Sequence, residues 1–111
     1  MPRDDGALIE RIRAILKQHE GYSEKKMFGG VAFMIGGNMC CGPWANSLIV
    51  RLAKEDHDET QAEPHVKPMD ITGKVMRGWA LIEPAGIEAD DQLKAWVRRA
   101  VKFAASLPAK S

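Results

Sequence analysis

The stretch from Met27 to Val50 constrains the fold more than any other part of this sequence, because it contains no Asp, Glu, Lys, Arg or His. Its length would allow a membrane span, which needs about 20 mostly apolar residues. Turn-forming residues cut it into short apolar runs, however, and a turn inside lipid would leave backbone groups unpaired. We therefore predict that it forms the centre of an antiparallel sheet that does not cross a membrane. The breaks lie at Gly29–Gly30, Gly36–Asn38, Gly42–Pro43 and Asn46–Ser47.

Within this stretch, the run Val31–Ile35 alternates two sets of side chains that are both apolar. A strand that is covered on both faces has this composition. The glycines of Gly36–Asn38 supply the positive φ angles that a tight hairpin needs, so this turn is the most strongly predicted one.

The composition is that of an ordinary globular domain, with 111 residues of which 45% are hydrophobic and 28% charged. This size is enough to bury a core without metals or disulfides, so we expect one domain spanning residues 1–111. A formal net charge of +1 predicts no strong attraction to nucleic acid or anionic lipid. The acidic residues Asp4 and Asp5 do not fit a secretory signal, so we expect a cytoplasmic protein.

Apolar residues repeat with helical spacing near both ends of the chain and with strand spacing between them. Two prolines predict an irregular segment over residues 63–70, because proline disfavours helix and removes a backbone donor. The order of elements predicts the α+β class, with an antiparallel β-sheet flanked by N-terminal and C-terminal helices. The predicted elements are helices over residues 5–20, 54–62 and 90–107 and strands over residues 25–28, 31–35, 39–41, 47–52 and 79–83.

The order and spacing of several short motifs resemble the TfoX N-terminal domain family, which is also found as the N-terminal part of Sxy proteins. The resemblance runs from about Glu10 to Leu107. The motifs are Met27-Phe28-Gly29-Gly30, Gly37-Asn38-Met39, Cys41-Gly42, Leu48-Ile49-Val50-Arg51, Pro64-His65-Val66, Pro68-Met69-Asp70, Thr72-Gly73, Met76 and Gly78-Trp79.

This resemblance implies a fold similar to secretion-chaperone-like folds and a tendency to form homodimers. Two-domain members are linked to the regulation of competence genes, without an established catalytic residue, and we expect this chain to be a stand-alone single-domain member. We therefore predict a non-enzymatic protein-interaction module that acts as an accessory factor in transcriptional regulation. We expect it to bind a protein partner or a second copy of itself and to need no cofactor. The alternative is a small-molecule or anion-binding protein or enzyme with a pocket near Arg51, His65 and Asp70.

Charged residues near the apolar strands form the first candidate site. Arg51 lies among apolar neighbours, so a partly buried guanidinium would need a carboxylate from Asp70 or Glu83. We favour a structural ion pair over an anion site, with Lys26 as a further cation. His65 is five residues from Asp70, and an imidazole beside a carboxylate can act as a base, but a loop histidine that binds backbone is more common.

Two other features of the uncharged stretch have both structural and functional interpretations. Trp44 lies at a turn, where it either anchors an interface or caps the core. Cys40 and Cys41 are adjacent, a spacing that suits neither a disulfide nor a metal site. We predict reduced thiols that pack within the sheet, with Cys41 facing inward beside Met39, and no metal.

A basic stripe follows the last predicted helix, where Lys94, Arg98 and Lys102 repeat every four residues. Such a stripe could contact phosphates. A solvated helix face opposite an apolar stripe has the same pattern, and no aromatic residues alternate with these cations. We therefore do not expect a nucleic-acid partner.

Overall fold

The computed structural model describes residues 6–27, 30–44, 46–69, 73 and 75–108. In this part of the chain, six strands form one antiparallel sheet with the order β1-β2-β3-β4-β6-β5. Helices precede and follow the sheet, so the predicted α+β class is confirmed. The elements are α1 (Gly6–Leu16), β1 (Tyr22–Met27), β2 (Gly30–Ile35), β3 (Asn38–Trp44), β4 (Ser47–Arg51), α2 (His57–Gln61), β5 (Val66–Pro68), β6 (Trp79–Ile82) and α3 (Asp90–Ser106), with 3-10 turns at Lys54–Asp56 and Pro84–Gly86.

The predicted hairpin between β2 and β3 is confirmed. Ile35 pairs with Asn38, and the two turn residues Gly36 and Gly37 have φ angles of 59° and 80°. Both angles lie in the left-handed region that glycine adopts at no steric cost, and the resulting twist matches that of the flanking strands. The Asn38 side chain is buried and donates a hydrogen bond to the carbonyl of Pro108, 2.9 Å away.

β5 corrects the prediction of an irregular segment over residues 63–70. Val66 pairs with Ile82 and Pro68 with Ala80, so these three residues extend the sheet at its edge. Proline is compatible with an edge strand because that strand needs to donate hydrogen bonds on one side only. Asp70, at the end of the predicted segment, lies outside the described residues.

α1 and α3 cover one face of the sheet and build the larger core with it. α1 contributes Leu8, Ile12 and Leu16, which recur every four residues and are all buried. Complete burial of such a side chain contributes about 1.5–3 kcal/mol. α1 ends at Leu16 rather than at residue 20, since the chain turns there to reach the edge strand β1. The core partners from α3 and the sheet include Leu93, Val97, Ala100, Phe33, Leu48, Val50 and Ile82.

The opposite face of the sheet carries a second apolar cluster, which is built around buried Ala32, Met39, Ile49 and Met69. Both alternating sets of β2 are therefore covered, as the sequence predicts. Met69 and Met76, which come from the connection between β5 and β6, cover part of this face. The half-buried members are Met34, Trp44, Met76, Trp79 and Leu81.

Both cysteines pack within the core as predicted, but a β-bulge in β3 corrects the predicted position of Cys41 beside Met39. Phe33 pairs with Cys41 but Met34 pairs with Met39, so Cys40 is an extra residue on β3. Both thiols are fully buried in the helix-side core, whereas Met39 belongs to the cluster on the other face. The bulge breaks the alternation of side chains along β3 that would otherwise put Cys41 and Met39 on the same face.

Among the helices of the described residues, none has the length and hydrophobicity that a membrane span requires.

Candidate functional site

Arg51 ends β4 opposite Trp79 and is half-buried. Its guanidinium carbon lies 5.6 Å from the centroid of the Trp79 ring and 5.7 Å from that of Phe103 on α3. Cations at these distances are attracted to the faces of aromatic rings. Among the described residues no carboxylate forms an ion pair with Arg51, and the predicted partner Asp70 lies outside them. The Arg51–Asp70 pair therefore stays a prediction.

The strand register places the other members of this candidate site apart from Arg51. The carbonyl of His65 accepts a hydrogen bond from the amide of Glu83, at the opposite end of β6 from Trp79. At about 3.3 Å per residue this separation is about 13 Å along the strand, and among the described residues Glu83 forms no ion pair with Arg51. Lys26 is on β1, three strands from β4, or about 14 Å across the sheet. The structure does not bring Lys26, Arg51 and His65 together.

His65 lines a separate small cavity of about 310 Å³. Its φ angle of 65° is uncommon for a residue with a side chain. The nearby Glu63 carboxylate is already paired, because the Arg99 guanidinium donates hydrogen bonds of 3.1 Å to both of its oxygens. The Arg99 guanidinium also stacks 4.4 Å above the Trp96 ring. These contacts give Glu63 and Arg99 structural roles, because they hold the segment that precedes β5 against α3.

Trp44 is half-buried at the end of β3, opposite Ser47, and packs against the second apolar cluster. Trp44 therefore covers part of this cluster while the residue as a whole stays partly accessible. Val75, in the connection between β5 and β6, has 54% of its surface exposed. The role of Trp44 as an interface residue stays a prediction.

The site that the tertiary structure creates is a groove of about 740 Å³ between α1 and α3. Its volume lies in the range of about 300–1,000 Å³ that is typical of ligand sites. Its floor is apolar and consists of side chains from both helices. The floor residues are Ile15 and Leu16 from α1 and Leu93, Val97 and Val101 from α3.

The rim of this groove on α3 is basic, since it is formed by Lys94, Arg98 and Lys102. All three residues are exposed, and within the described ranges none forms an ion pair with a carboxylate. The acidic residue at the groove, Asp90, is 3.3 Å from the Arg11 guanidinium. Arg11 also donates to backbone carbonyls, of which that of Ile87 is 2.8 Å away. The positive charge along the rim is therefore not compensated within the groove.

The sequence revealed the basic stripe but not the apolar surface beside it. Val101 is four residues from Val97 and extends the apolar stripe of α3 toward the basic side. Only the packing of α3 against α1 places Ile15 next to these valines and turns two helix faces into one groove. The wider apolar stripe was the one signal in the sequence that could have indicated the groove.

These features define a class of protein: an α+β domain with an antiparallel sheet, two long helices on one face and a basic, apolar-floored groove between them. The sequence model of the TfoX N-terminal domain family matches residues 14–104. The chain belongs to this family, and the resemblance seen in the motifs is confirmed. Neither a curated protein nor a solved structure matches the chain.

Proposed function

We propose that this protein is a non-enzymatic protein-interaction module that acts as an accessory factor in transcriptional regulation of the competence type. The observation that carries the proposal is the groove between α1 and α3, with its apolar floor and three uncompensated cations. Membership of the TfoX N-terminal domain family supports the regulatory context. A regulator of transcription would work in the cytoplasm.

The composition of the groove favours a protein partner over nucleic acid. A phosphate backbone would match the cations of the rim but would leave the floor around Ile15, Val97 and Val101 without a partner. Burial of apolar surface is the main favourable term in most protein association. A formal net charge of +1 also provides little of the long-range attraction on which DNA binding depends.

Pairing of two copies is a further part of the proposal, and the family resemblance is its source. The half-buried Trp44, which packs against the second apolar cluster, is the candidate contact on the face away from the helices. Light scattering would report a dimer, and Trp44→Ala would weaken it. A monomer at high protein concentration would contradict this part of the proposal without affecting the groove.

The test is replacement of the gene by a groove variant, Lys94→Glu/Arg98→Glu, followed by a profile of transcripts. We expect the variant to reproduce the transcript changes of a deletion strain, because both reversed charges lie on the rim. The matched control is Lys25→Glu/Lys67→Glu, which makes the same change in charge at exposed residues of the outer strands β1 and β5, away from the groove and two and three strands from Trp44. Unchanged transcripts in the deletion strain, or a normal profile in the groove variant, would contradict the proposal.

Anion binding at Arg51 is the second candidate function. Its half-buried guanidinium lies against two aromatic rings, and no described carboxylate neutralises it. Phe103 also lines a cavity of about 400 Å³ together with Lys102 and Asp56. A guanidinium fork in such surroundings suits a carboxylate or a phosphate.

A thermal-shift measurement with inorganic phosphate and short carboxylates tests the second candidate. An anion present at 100 times its Kd should add about 2.7 kcal/mol of apparent stability. Arg51→Ala should abolish this shift, while Arg77→Ala removes a cation from an exposed ion pair with Asp58 and should leave it unchanged. An equal shift in the Arg51 variant would exclude the site.

A further inference from the structure

We infer that the occupant of the groove is an amphipathic α-helix of a partner protein, whose apolar stripe is flanked by a row of carboxylates. This inference rests on the proposed function, since it names the partner chemistry of the same groove. The structural basis is the combination of an apolar floor and a linear, uncompensated row of cations.

The spacing of the cations matches a helix better than a small ligand. Lys94 and Lys102 are eight residues apart on α3, which corresponds to about 12 Å along the axis. A small anion would contact one of them, whereas a helix lying along the groove repeats side chains every three to four residues. Carboxylates at positions i, i+4 and i+8 of that helix would each meet one cation.

The floor explains why the partner also needs an apolar stripe. Ile15 and Val101 are half-buried and lie beside the buried Val97. Leucine-type side chains at i, i+3 and i+7 of the partner would cover them, as in other helix-in-groove complexes. The aliphatic stems of Lys94 and Arg98 would extend this apolar contact while their charged ends reach the carboxylates.

The two ends of the groove differ, which gives the partner helix a preferred placement. Asp90 begins α3 and pairs with Arg11, so this end offers no free cation. The free cations begin one turn later at Lys94 and continue to Lys102. The acidic row of the partner should therefore lie along Lys94–Lys102, away from the Asp90 end of the groove.

A second copy of the chain is a weaker occupant. The acidic segment around α2 supplies exposed carboxylates such as Asp58 and Glu59. The two buried residues of α2, His57 and Thr60, already face the protein interior. This helix is also only five residues long. It could match the charges of the rim but could not fill the apolar floor.

The test uses a labelled helical peptide with glutamates at i, i+4 and i+8 beside a leucine stripe, and its binding is followed by fluorescence anisotropy. We expect saturable binding that weakens with salt and that falls at least about tenfold in Lys94→Glu/Arg98→Glu. Lys25→Glu/Lys67→Glu should bind as the wild type does. A peptide with lysine in place of glutamate should lose binding because it cannot pair with the cations of the rim. A peptide with serine in place of leucine should lose binding because it cannot cover the apolar floor.

The possible failures separate this inference from the proposed function. If the peptide does not bind, or if the serine peptide binds equally well, an amphipathic helix is not the occupant, while the transcript test is unaffected. If duplex DNA of the same length binds more tightly and with the same dependence on Lys94 and Arg98, the groove is a nucleic-acid site. Dimerisation that Lys94→Glu/Arg98→Glu abolishes would assign the groove to a second copy.

Discussion

The Nδ1 atom of His57 accepts a hydrogen bond from the backbone amide of Gly78, and the two atoms are 3.1 Å apart in the protein interior. His57 has 8% of its surface exposed and begins α2, whereas Gly78 is the residue before β6. The carbonyl of Gly78 in turn accepts a hydrogen bond of 2.7 Å from the amide of Leu52. These two hydrogen bonds hold Gly78, the last residue of the connection between β5 and β6.

Replacement of His57 by leucine should lower the free energy of unfolding by about 1–3 kcal/mol, because the buried amide of Gly78 would lose its acceptor. Asparagine is the matched control, since its Oδ1 can occupy nearly the place of Nδ1 and accept the same bond. We expect His57→Asn to recover part of the loss in urea unfolding. Equal losses for both variants would show that packing, not the hydrogen bond, is what His57 contributes.

Gly78→Ala should destabilise the protein by more than about 2 kcal/mol, because it combines two unfavourable effects. The φ angle of Gly78 is 89°, and an added Cβ would lie 2.7 Å from the carbonyl oxygen of Leu52. Gly73 is the control, with a φ angle of 86° and, apart from its chain neighbours, no atom of the described residues within 4 Å of the added Cβ. Gly73→Ala should cost only the backbone term of about 1–2 kcal/mol. Similar melting temperatures for the two variants would contradict the steric contribution.

The lowered pKa of the Glu24 carboxyl leads us to expect that the protein loses stability in acid. Hydrogen bonds from Arg13, at 2.9 Å, and from the Tyr22 hydroxyl lower the pKa of its carboxyl from 4.5 to about 2. Because the folded-state pKa is the lower one, this stabilisation is complete above about pH 4.5 and disappears as the pH falls toward 2. Solvent screens this exposed group, so we expect about 0.5–1 kcal/mol.

Unfolding of Glu24→Gln in urea at several pH values tests this expectation. The variant should be less stable than the wild type at neutral pH, and the difference should shrink below pH 4.5. A constant difference down to pH 2 would mean that the ionised carboxylate contributes nothing.

The raised pKa of the Tyr22 phenol leads us to expect a second change in stability at alkaline pH. Burial, followed by the hydrogen bond to Glu24, raises the pKa of the phenol to about 12. The stabilisation is therefore complete below pH 10 and is lost as the pH rises through 12. Tyr22 is the only tyrosine of the chain, so tyrosinate absorbance reports this residue alone. We expect the midpoint to fall in Glu24→Gln but to stay above 10, the pKa of an unfolded tyrosine.

The two cysteines should be unreactive in the native protein. Both are fully buried, and the pKa of the Cys41 thiol is raised well above its usual value by its hydrogen bond with Cys40 and by burial. Since the thiolate is the reactive form, a thiol reagent should label neither residue until the protein unfolds. Rapid labelling at neutral pH without denaturant would contradict the burial of this bulge.

The sequence by itself determined the class of the fold and its sharpest turn. Helical and strand periodicities and the glycines at 36 and 37 act through local backbone preferences, which do not depend on distant residues. The sequence also contained the basic stripe of α3. Its motifs were sufficient to indicate the TfoX N-terminal domain family.

The tertiary structure decided what these elements form together. It added the bulge at Cys40, made an edge strand of Val66–Pro68 and separated His65 from Arg51. The groove exists only because α1 packs beside α3, which brings Ile15 next to Val101 although they are far apart in the chain. Register and helix packing are set by the sum of many long-range contacts, which no local pattern of residues encodes.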